Sequence, residues 1–441
     1  MTRNRFKPYT AYEDSGVEWL GEIPAGWEVK RLKEIATIQM SNVDKKSVDG
    51  EQPVELCNYT DVYYRDRISS DIDFMKATAP REQIRRFALR AGDVLITKDS
   101  ESWTDIAVPS VVDEDLPNVL CGYHLAHIRP QSAAYGPYLA RAIGAVGPRD
   151  QFRVSANGVT RFAIGTDAIA TSVFAIPPVP EQRAIAMFLD LETARIDALV
   201  AKKERLITLL QERRTALITR AVTKGLDPAV QMKDSGVEWL GEVPAHWEVK
   251  PNIALFTQRD ERGREDLPIL EVSIATGVSV REFSTEKIEQ RSDDLRAYKV
   301  AHQGDIAFNK MRMWQGAVGM APISGLVSPD YVVASPRHGV DARYYAALFR
   351  TAAYMTEVCR WSHGIVDDRN RLYWEEFKAI ASPLPPLHEQ TAITTRLSEL
   401  TVRLDSLISR VRTAITRLHE LRTALISAAV TGKIDVREAA Q

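Results

Sequence analysis

Asp14 to Lys30 reads Asp-Ser-Gly-Val-Glu-Trp-Leu-Gly-Glu-Ile-Pro-Ala-Gly-Trp-Glu-Val-Lys, and Asp234 to Lys250 repeats it with changes only at Ile23/Val243 and Gly26/His246. A run this long does not recur by chance, so the repeat sets the architecture: two copies of one unit. A second echo locates the differences. Pro177-Pro178-Val179-Pro180-Glu181-Gln182 returns as Pro385-Pro386-Leu387-His388-Glu389-Gln390, and Thr215-Ala216-Leu217-Ile218 as Thr423-Ala424-Leu425-Ile426, both 208 residues on. The opening motif is offset by 220, so the 12-residue difference lies between it and the Pro-Pro motif. Each unit has constant ends and a variable middle.

At 441 residues and 45% hydrophobic composition the chain can bury several cores. A net charge of −2 means that any nucleic-acid contact must rest on local positive potential. Cys57, Cys121 and Cys359 are widely spaced with no Cys-x-x-Cys, which argues against a disulfide framework or zinc site and for a reducing cytoplasm. The opening residues lack an apolar signal core, and no segment approaches a membrane span, so a soluble cytoplasmic protein is expected.

Trp19 to Trp27 mixes two large aromatics with Gly and Pro, which suits a tight structural clasp. From Arg31 to Ala175 the pattern is of short β-like runs broken by turns. Gly92-Asp93 feeds the apolar Val94 to Thr97, and its counterpart Gly304-Asp305 feeds Ile306 to Asn309, so the variable regions share a fold. The prolines at 177, 178 and 180 then halt the strand and open a helix. Both this run, to about Thr223, and Glu389 to Thr431 are free of Gly and Pro, predicting helices of roughly 60 Å each.

The apolar positions account for that length. Ile393, Leu397, Leu400, Leu404, Leu407, Val411, Ala414, Leu418, Leu421 and Leu425 alternate spacings of four and three, a heptad seam. The aligned first copy gives Ile185, Leu189, Glu192, Ile196, Leu199, Lys203, Leu206, Leu210, Arg213 and Leu217, a seam interrupted by charge. An internal pseudo-twofold would place the two helices antiparallel with a variable domain at each end, like a caliper. The other reading is a coiled coil between separate chains.

Signatures of phosphate loops, dinucleotide folds, zinc proteases, nucleophile elbows and the Asn/Asp-Pro-Pro-Tyr/Phe run of amino-methyltransferases do not occur. Asp14 with Glu28 and Lys30, repeated as Glu248-Val249-Lys250, could hold a metal and an attacking water in a two-site nuclease, although the segment reads better as a clasp. Basic residues interleaved with aromatics lie in the variable regions: Tyr63 to Arg67, Arg81 to Arg90, Lys98 and Arg149 to Arg161 in the first, Lys310 to Gln315 and Arg369 to Arg371 in the second. Arg can bind guanine bidentately, Gln can bind adenine, and Lys or Arg can neutralise phosphate. Lys98, Lys310, Arg312 and Gln315 are candidates for groove-facing loops, and Arg161, Arg369 and Arg371 for backbone or neighbouring base contacts. A structural adaptor whose end domains bind proteins is the competing reading.

The order Ser-Gly-Val-Glu-Trp-Leu-Gly-Glu-Ile-Pro-x-x-Trp, variable domain, Pro-Pro-x-x-Glu-Gln and long helix ending Thr-Ala-Leu-Ile, performed twice, resembles the specificity subunits of type I restriction-modification systems. The resemblance covers essentially the whole chain. It implies an α+β fold with two mixed α/β target recognition domains, over 1–175 and 225–384, each reading one half of a split asymmetric site in double-stranded DNA. The spacer helices, over 176–224 and 385–441, would pair within the chain as an antiparallel coiled coil and set the gap between the halves. It further implies a non-catalytic chain that binds no cofactor of its own. Two modification subunits carrying S-adenosylmethionine and restriction subunits using ATP and Mg2+ would dock on it.

Overall fold

The computed structural model describes residues 6–281, 295–364 and 370–438. They fall into two compact units, one formed by residues 1–203 with 413–441 and the other by 204–412, so each unit takes half of each long helix. Those helices run over Val179–Lys224 and Leu387–Val430, 46 and 44 residues. At 1.5 Å per residue they are about 69 and 66 Å long.

In the first unit the variable domain holds two larger sheets beside the short pair of Asp99–Ser100 with Phe162–Ala163. The five-stranded one orders Ala36–Met40, Leu125–Pro130, Val94–Thr97, Pro109–Val112 and Arg67–Ile68, antiparallel until the last pair. The four-stranded one orders Met75–Ala79, Gln52–Cys57, Leu116–Cys121 and Ala88–Leu89. The second unit keeps a reduced version: Phe256–Arg259, Tyr331–Pro336, Ile306–Asn309 and Val318–Met320, flanked by two hairpin-like pairs. Its correspondence with the first four strands of the larger sheet shows the shared fold.

Each constant motif closes its own domain. Glu28–Arg31 pairs antiparallel with Val173–Ile176, and Glu248–Pro251 pairs with Ala381–Leu384, so the chain enters and leaves each variable domain side by side. Trp27 and Trp247 are buried at these junctions. Asp14 and Asp234 each accept the amide of the glycine two residues on at 3.0 Å, which fixes the preceding turn in both copies. Glu28 lies 2.6 Å from Lys30, and Glu248 2.8 Å from Lys250.

The Pro-Pro-x-x-Glu-Gln motif has an equally definite task. Gln182, fully buried, accepts from the Tyr135 amide at 2.7 Å and donates to the carbonyls of Ala133 and Pro177 at 2.9 and 2.8 Å. Gln390 repeats this with the Asp341 amide and the carbonyls of Gly339 and Pro385. One side-chain amide thus satisfies three backbone groups that packing has removed from water.

The cores continue from the domains into the helices. In the first unit Trp27, Tyr138, Phe174, Ile185, Leu189 and Ile196 share a cluster with Leu425, Ala429 and Val430. In the second, Trp247, Phe256, Phe308, Tyr344 and Phe377 share one with Ile393, Leu397, Ala221 and Val222. Tyr138 donates to the carbonyls of Ala175 and Val430, and Tyr344 to that of Val222, residue 222 being the repeat partner of 430. Each helix therefore ends against the other copy's domain. Gly432 permits this in the first unit: it is left-handed at φ 72°, and a Cβ there would lie 2.2 Å from the Pro24 ring.

The helices cover each other along one stripe. In the first it runs Ile185, Leu189, Thr193, Ile196, Val200, Lys203, Ile207, Leu210, Arg214, Ile218 and Ala221, all buried or half-buried. In the second it runs Ile393, Leu397, Thr401, Leu404, Ile408, Val411, Ile415, Leu418, Arg422, Ile426 and Ala429, each 208 residues on. Both advance 36 residues in ten steps, the 3.6 period of an unsupercoiled helix. The four-three seam read from the sequence keeps Ile196, Leu210, Val411 and Leu425 buried and Leu217, Leu404 and Leu418 half-buried. It drifts off elsewhere, leaving Leu199, Leu206, Leu407 and Leu421 at 40 to 44% exposure, because a 3.5 repeat slips about 20° per heptad on such a helix.

Candidate nucleic-acid interface

The Gly-Asp turns anchor one end of the matched strands. Gly92 and Gly304 are left-handed at φ 87° and 91°, and the following carboxylates turn inward. Asp93, 2% exposed, accepts the Arg90 amide, His127 at 2.8 Å and Arg129 at 2.8 and 2.7 Å. Burial by itself would raise its pKa, but the hydrogen bonds from Arg129 and His127 hold it below the usual carboxylate range. Asp305 accepts the His302 amide at 2.8 Å and Arg259 at 2.7 Å. The same buried charge is compensated from different strands.

The other end of each strand is where the candidate residues gather. In the first unit Val94–Thr97 leads to Lys98, and the loop after Val146–Ser155 returns beside it: the Ile164 amide donates to the Lys98 carbonyl at 2.9 Å. Asn157 and Ala163 bridge across that loop, which carries Arg161. In the second unit Ile306–Asn309 leads to Lys310, the Leu372 amide donates to the Lys310 carbonyl at 2.9 Å, and His363 bridges to Arg371. The topology thus brings Lys98 and Arg161 together in one domain and Lys310, Arg312, Gln315 and Arg371 in the other.

Their freedom differs. Lys98 donates to the Ser41 carbonyl at 2.9 Å and lies 4.6 Å over the Tyr123 ring; burial pushes its pKa down. Arg161 is bound to Asp99 at 2.6 Å, and the other oxygen of Asp99 meets His124 Nδ1 at 2.8 Å. Lys310 is 3.5 Å from Asp330 and 5.5 Å from the Tyr373 ring centroid. Arg312 is exposed and donates to the Gln315 side chain at 3.3 Å, on a short turn anchored by fully buried Met313 and ended by left-handed Gly316. Arg371 is exposed, its backbone held by His363. Arg369 lies outside the described residues.

Sequence reasoning missed Tyr123, His124 and Asp99 in the first domain and Tyr373 in the second. Tyr123 and Tyr373 are 50% and 43% exposed beside the candidate lysines, placing an aromatic face next to each cation. A weak signal was available for Tyr373, two residues past Arg371, but none for Tyr123, which is remote in sequence from the basic clusters. Of those clusters, Tyr63 to Arg67 is partly spent internally: Tyr63 hydrogen-bonds Asp105, and Asp66 and Arg67 join ion pairs. Tyr64 remains 77% exposed. Among the described residues no His/Cys/Asp/Glu group is arranged to hold a metal, and no helix is long and apolar enough to cross a membrane.

No family model matches the chain. It is 23% identical over 95% of its length to a Methanocaldococcus jannaschii protein named as the MjaX specificity subunit of a type I restriction enzyme, covering 96% of that protein. To the type I restriction enzyme EcoKI specificity subunit of Escherichia coli K12 it is 20% identical, over 94% of this chain and 90% of the relative. Among solved structures, the HsdS subunit from Thermoanaerobacter tengcongensis superposes with a TM-score of 0.58 at 16% identity, over 93% and 98% of the two chains. A chain from a structural study of the assembly and conformational transition of the type I R-M system gives 0.65 at 15%, over 92% and 98%. The motif order stated twice, the two similarly built domains and these full-length likenesses agree: over nearly its whole length the chain is similar to specificity subunits of type I restriction enzymes, and it shares the fold of HsdS subunits.

Proposed function

We propose that the chain is the sequence-reading subunit of a type I restriction-modification system, with each variable domain contacting one half of a split asymmetric DNA site. The observation that carries this reading is the matched end of the central strands, where both divergent domains gather basic and aromatic side chains on equivalent loops, joined in the second by the Gln315 amide. Arg312, Gln315 and Arg371 have the chemistry to contact bases and phosphates in the second half-site. In the first, Arg161, with Lys98 and Tyr123 behind it, occupies the equivalent position.

The long helices act as the ruler in this account. Half-sites approached from one face of a duplex lie near a helical turn apart, roughly 34 Å, or a simple offset of it. Catalysis belongs to the partners: two modification subunits supplying S-adenosylmethionine, and restriction subunits using ATP and Mg2+. Local geometry disfavours the two-site nuclease, because Asp14 is engaged with the Gly16 amide and Glu28 with Lys30.

The test is binding by the complex of this chain with its modification subunit to cognate duplex at several salt concentrations. The account expects steep salt dependence, and Arg312→Ala to lower cognate methylation about tenfold. Salt-insensitive binding, or none, would favour the protein-binding adaptor.

A further inference from the structure

The two variable domains align residue by residue along their central strands. From the Gly-Asp turns, Lys98-Asp99 corresponds to Lys310-Met311. The neighbouring strand aligns through Thr97 opposite Leu125 and Asn309 opposite Tyr331, so His124, which precedes Leu125, corresponds to Asp330. The first domain thus carries an Asp and a His where the second carries a Met and an Asp.

Asp99 organises its surroundings. Asp99–Ser100 pairs antiparallel with Phe162–Ala163, which sets Arg161 at the end of that ladder. The loop before it is closed tightly: Asn157 and Ala163 exchange amide-to-carbonyl bonds at 3.0 and 2.9 Å, and a Cβ on Gly158 would lie 1.9 Å from the Arg161 carbonyl. The carboxylate of Asp99 is divided, Oδ1 accepting from Arg161 at 2.6 Å and Oδ2 from His124 Nδ1 at 2.8 Å. Because a carboxylate only accepts, Nδ1 carries the proton, and the 3.4 Å approach of Arg161 to Nδ1 is a contact without a hydrogen bond. The Tyr123 ring stands edge-on to His124 at 4.9 Å, and the Lys98 amide donates to the His124 carbonyl at 3.1 Å.

Both oxygens of a nearly buried acid therefore fix two side chains that are themselves open to solvent. The Asp99 side chain is 12% exposed, against 28% for His124 and 53% for Arg161. Among the described residues, His124 Nε2 and two of the three guanidinium nitrogens of Arg161 make no hydrogen bond. In this tautomer a neutral His124 offers Nε2 as an acceptor, next to the free N–H donors of Arg161.

Resting on the DNA-reading account, we propose that Arg161 and His124 together read one G·C base pair of the first half-site, with Asp99 as the residue that positions both. In the major groove guanine presents two acceptors, N7 and O6, and its cytosine presents the N4 amino donor. Guanidinium donors beside an imidazole acceptor complement that order. An A·T pair presents acceptor, donor and acceptor, so it sets its N6 amino group against the guanidinium. The second domain, with Met311 and Asp330 at these positions, reads its half by other groups, as an asymmetric site requires.

The test is methylation of a duplex library, randomised across the site, by the complex of this chain with its modification subunit, followed by sequencing of the methylated products. The wild type is expected to select a G·C pair at one position of the half that Arg312→Ala leaves untouched. His124→Phe keeps an aromatic ring against Tyr123 but has no acceptor, and Asp99→Asn cannot accept from both partners. Each should lower the preference for that pair about tenfold, at that position alone. Thermal melts establish that the variants are folded, and His124→Phe, which leaves the Asp99–Arg161 pair in place, decides the matter if Asp99→Asn is not. An unchanged preference with only the overall rate reduced, or a loss spread over both halves, overturns the proposal. A wild-type library without a split site overturns the DNA-reading account itself, so the two failures are told apart.

Discussion

Arg214 on the first long helix meets Asp405 on the second at 3.4 Å, and the pair recurs with the helices exchanged as Arg422, 208 residues after Arg214, with Asp197, 208 residues before Asp405, at 3.2 Å. Moving 17 residues along one helix moves 17 back along the other, so both pairs obey one antiparallel register. The repeat is therefore visible in side-chain pairing as well as in fold.

The two copies differ in worth. Arg214 and Asp405 are 42% and 53% exposed, so Arg214→Gln should cost only about 0.5 kcal/mol. Arg422 also binds Asp66, and Arg422→Gln should cost about 1 to 2 kcal/mol by leaving that carboxylate with Arg141 alone. Urea unfolding followed by tryptophan fluorescence compares them; equal costs would contradict the assignment.

Gln182→Ala and Gln390→Ala each strand three buried backbone groups. A loss of about 3 kcal/mol is expected for either. Gln→Glu should be no rescue, because a carboxylate cannot donate to the Ala133 and Pro177 carbonyls. A cost below that of an ordinary surface substitution would remove the motif glutamines from the clasp.

The Asp93 carboxyl sits below its unfolded value of about 3.9, so the stability it contributes is present above that pH and is lost as pH falls through the lower folded value. Asp93→Asn should be markedly less stable than the parent near neutral pH. The difference should shrink steadily below about pH 4. A gap independent of pH would mean that Asp93 contributes only by shape.

Within the DNA-reading account, the candidates divide by domain. Changes at Arg312, Gln315 or Arg371 should alter recognition of one half-site only, and changes at Arg161 the other. Methylation of duplexes mutated in one half at a time reads this directly. Lys98→Ala should act mainly on stability, because its ammonium is directed inward to Ser41.

Lengthening both helices by matched whole turns should change the tolerated gap between halves while leaving each half intact. Altered half-site sequences would show that the helices do more than measure distance.

The large organisation was legible because it is repeated. The tryptophan motif and Glu-Gln motif recur nearly unchanged, and the clasp and helix starts are built from them. Helix pairing was legible in outline, but four leucines of the heptad reading face solvent, since a count of fours and threes does not distinguish 3.5 from 3.6 over a few turns. The fate of Lys98 was hidden because its partners, Ser41 and Tyr123, are brought to it by strand pairing across distant sequence. The ion-paired cluster of the first unit was hidden likewise: Asp66, Arg141 and Arg422 are remote in the chain, and only folding brings them together.

The most direct test of the central claim is base-resolved methylome sequencing of a host expressing this chain with its modification subunit, against the same host lacking this chain. The account predicts a new motif methylated on both strands, with two short specified halves around a fixed unspecified gap. A continuous motif, or no new methylation from a folded complex, would contradict it.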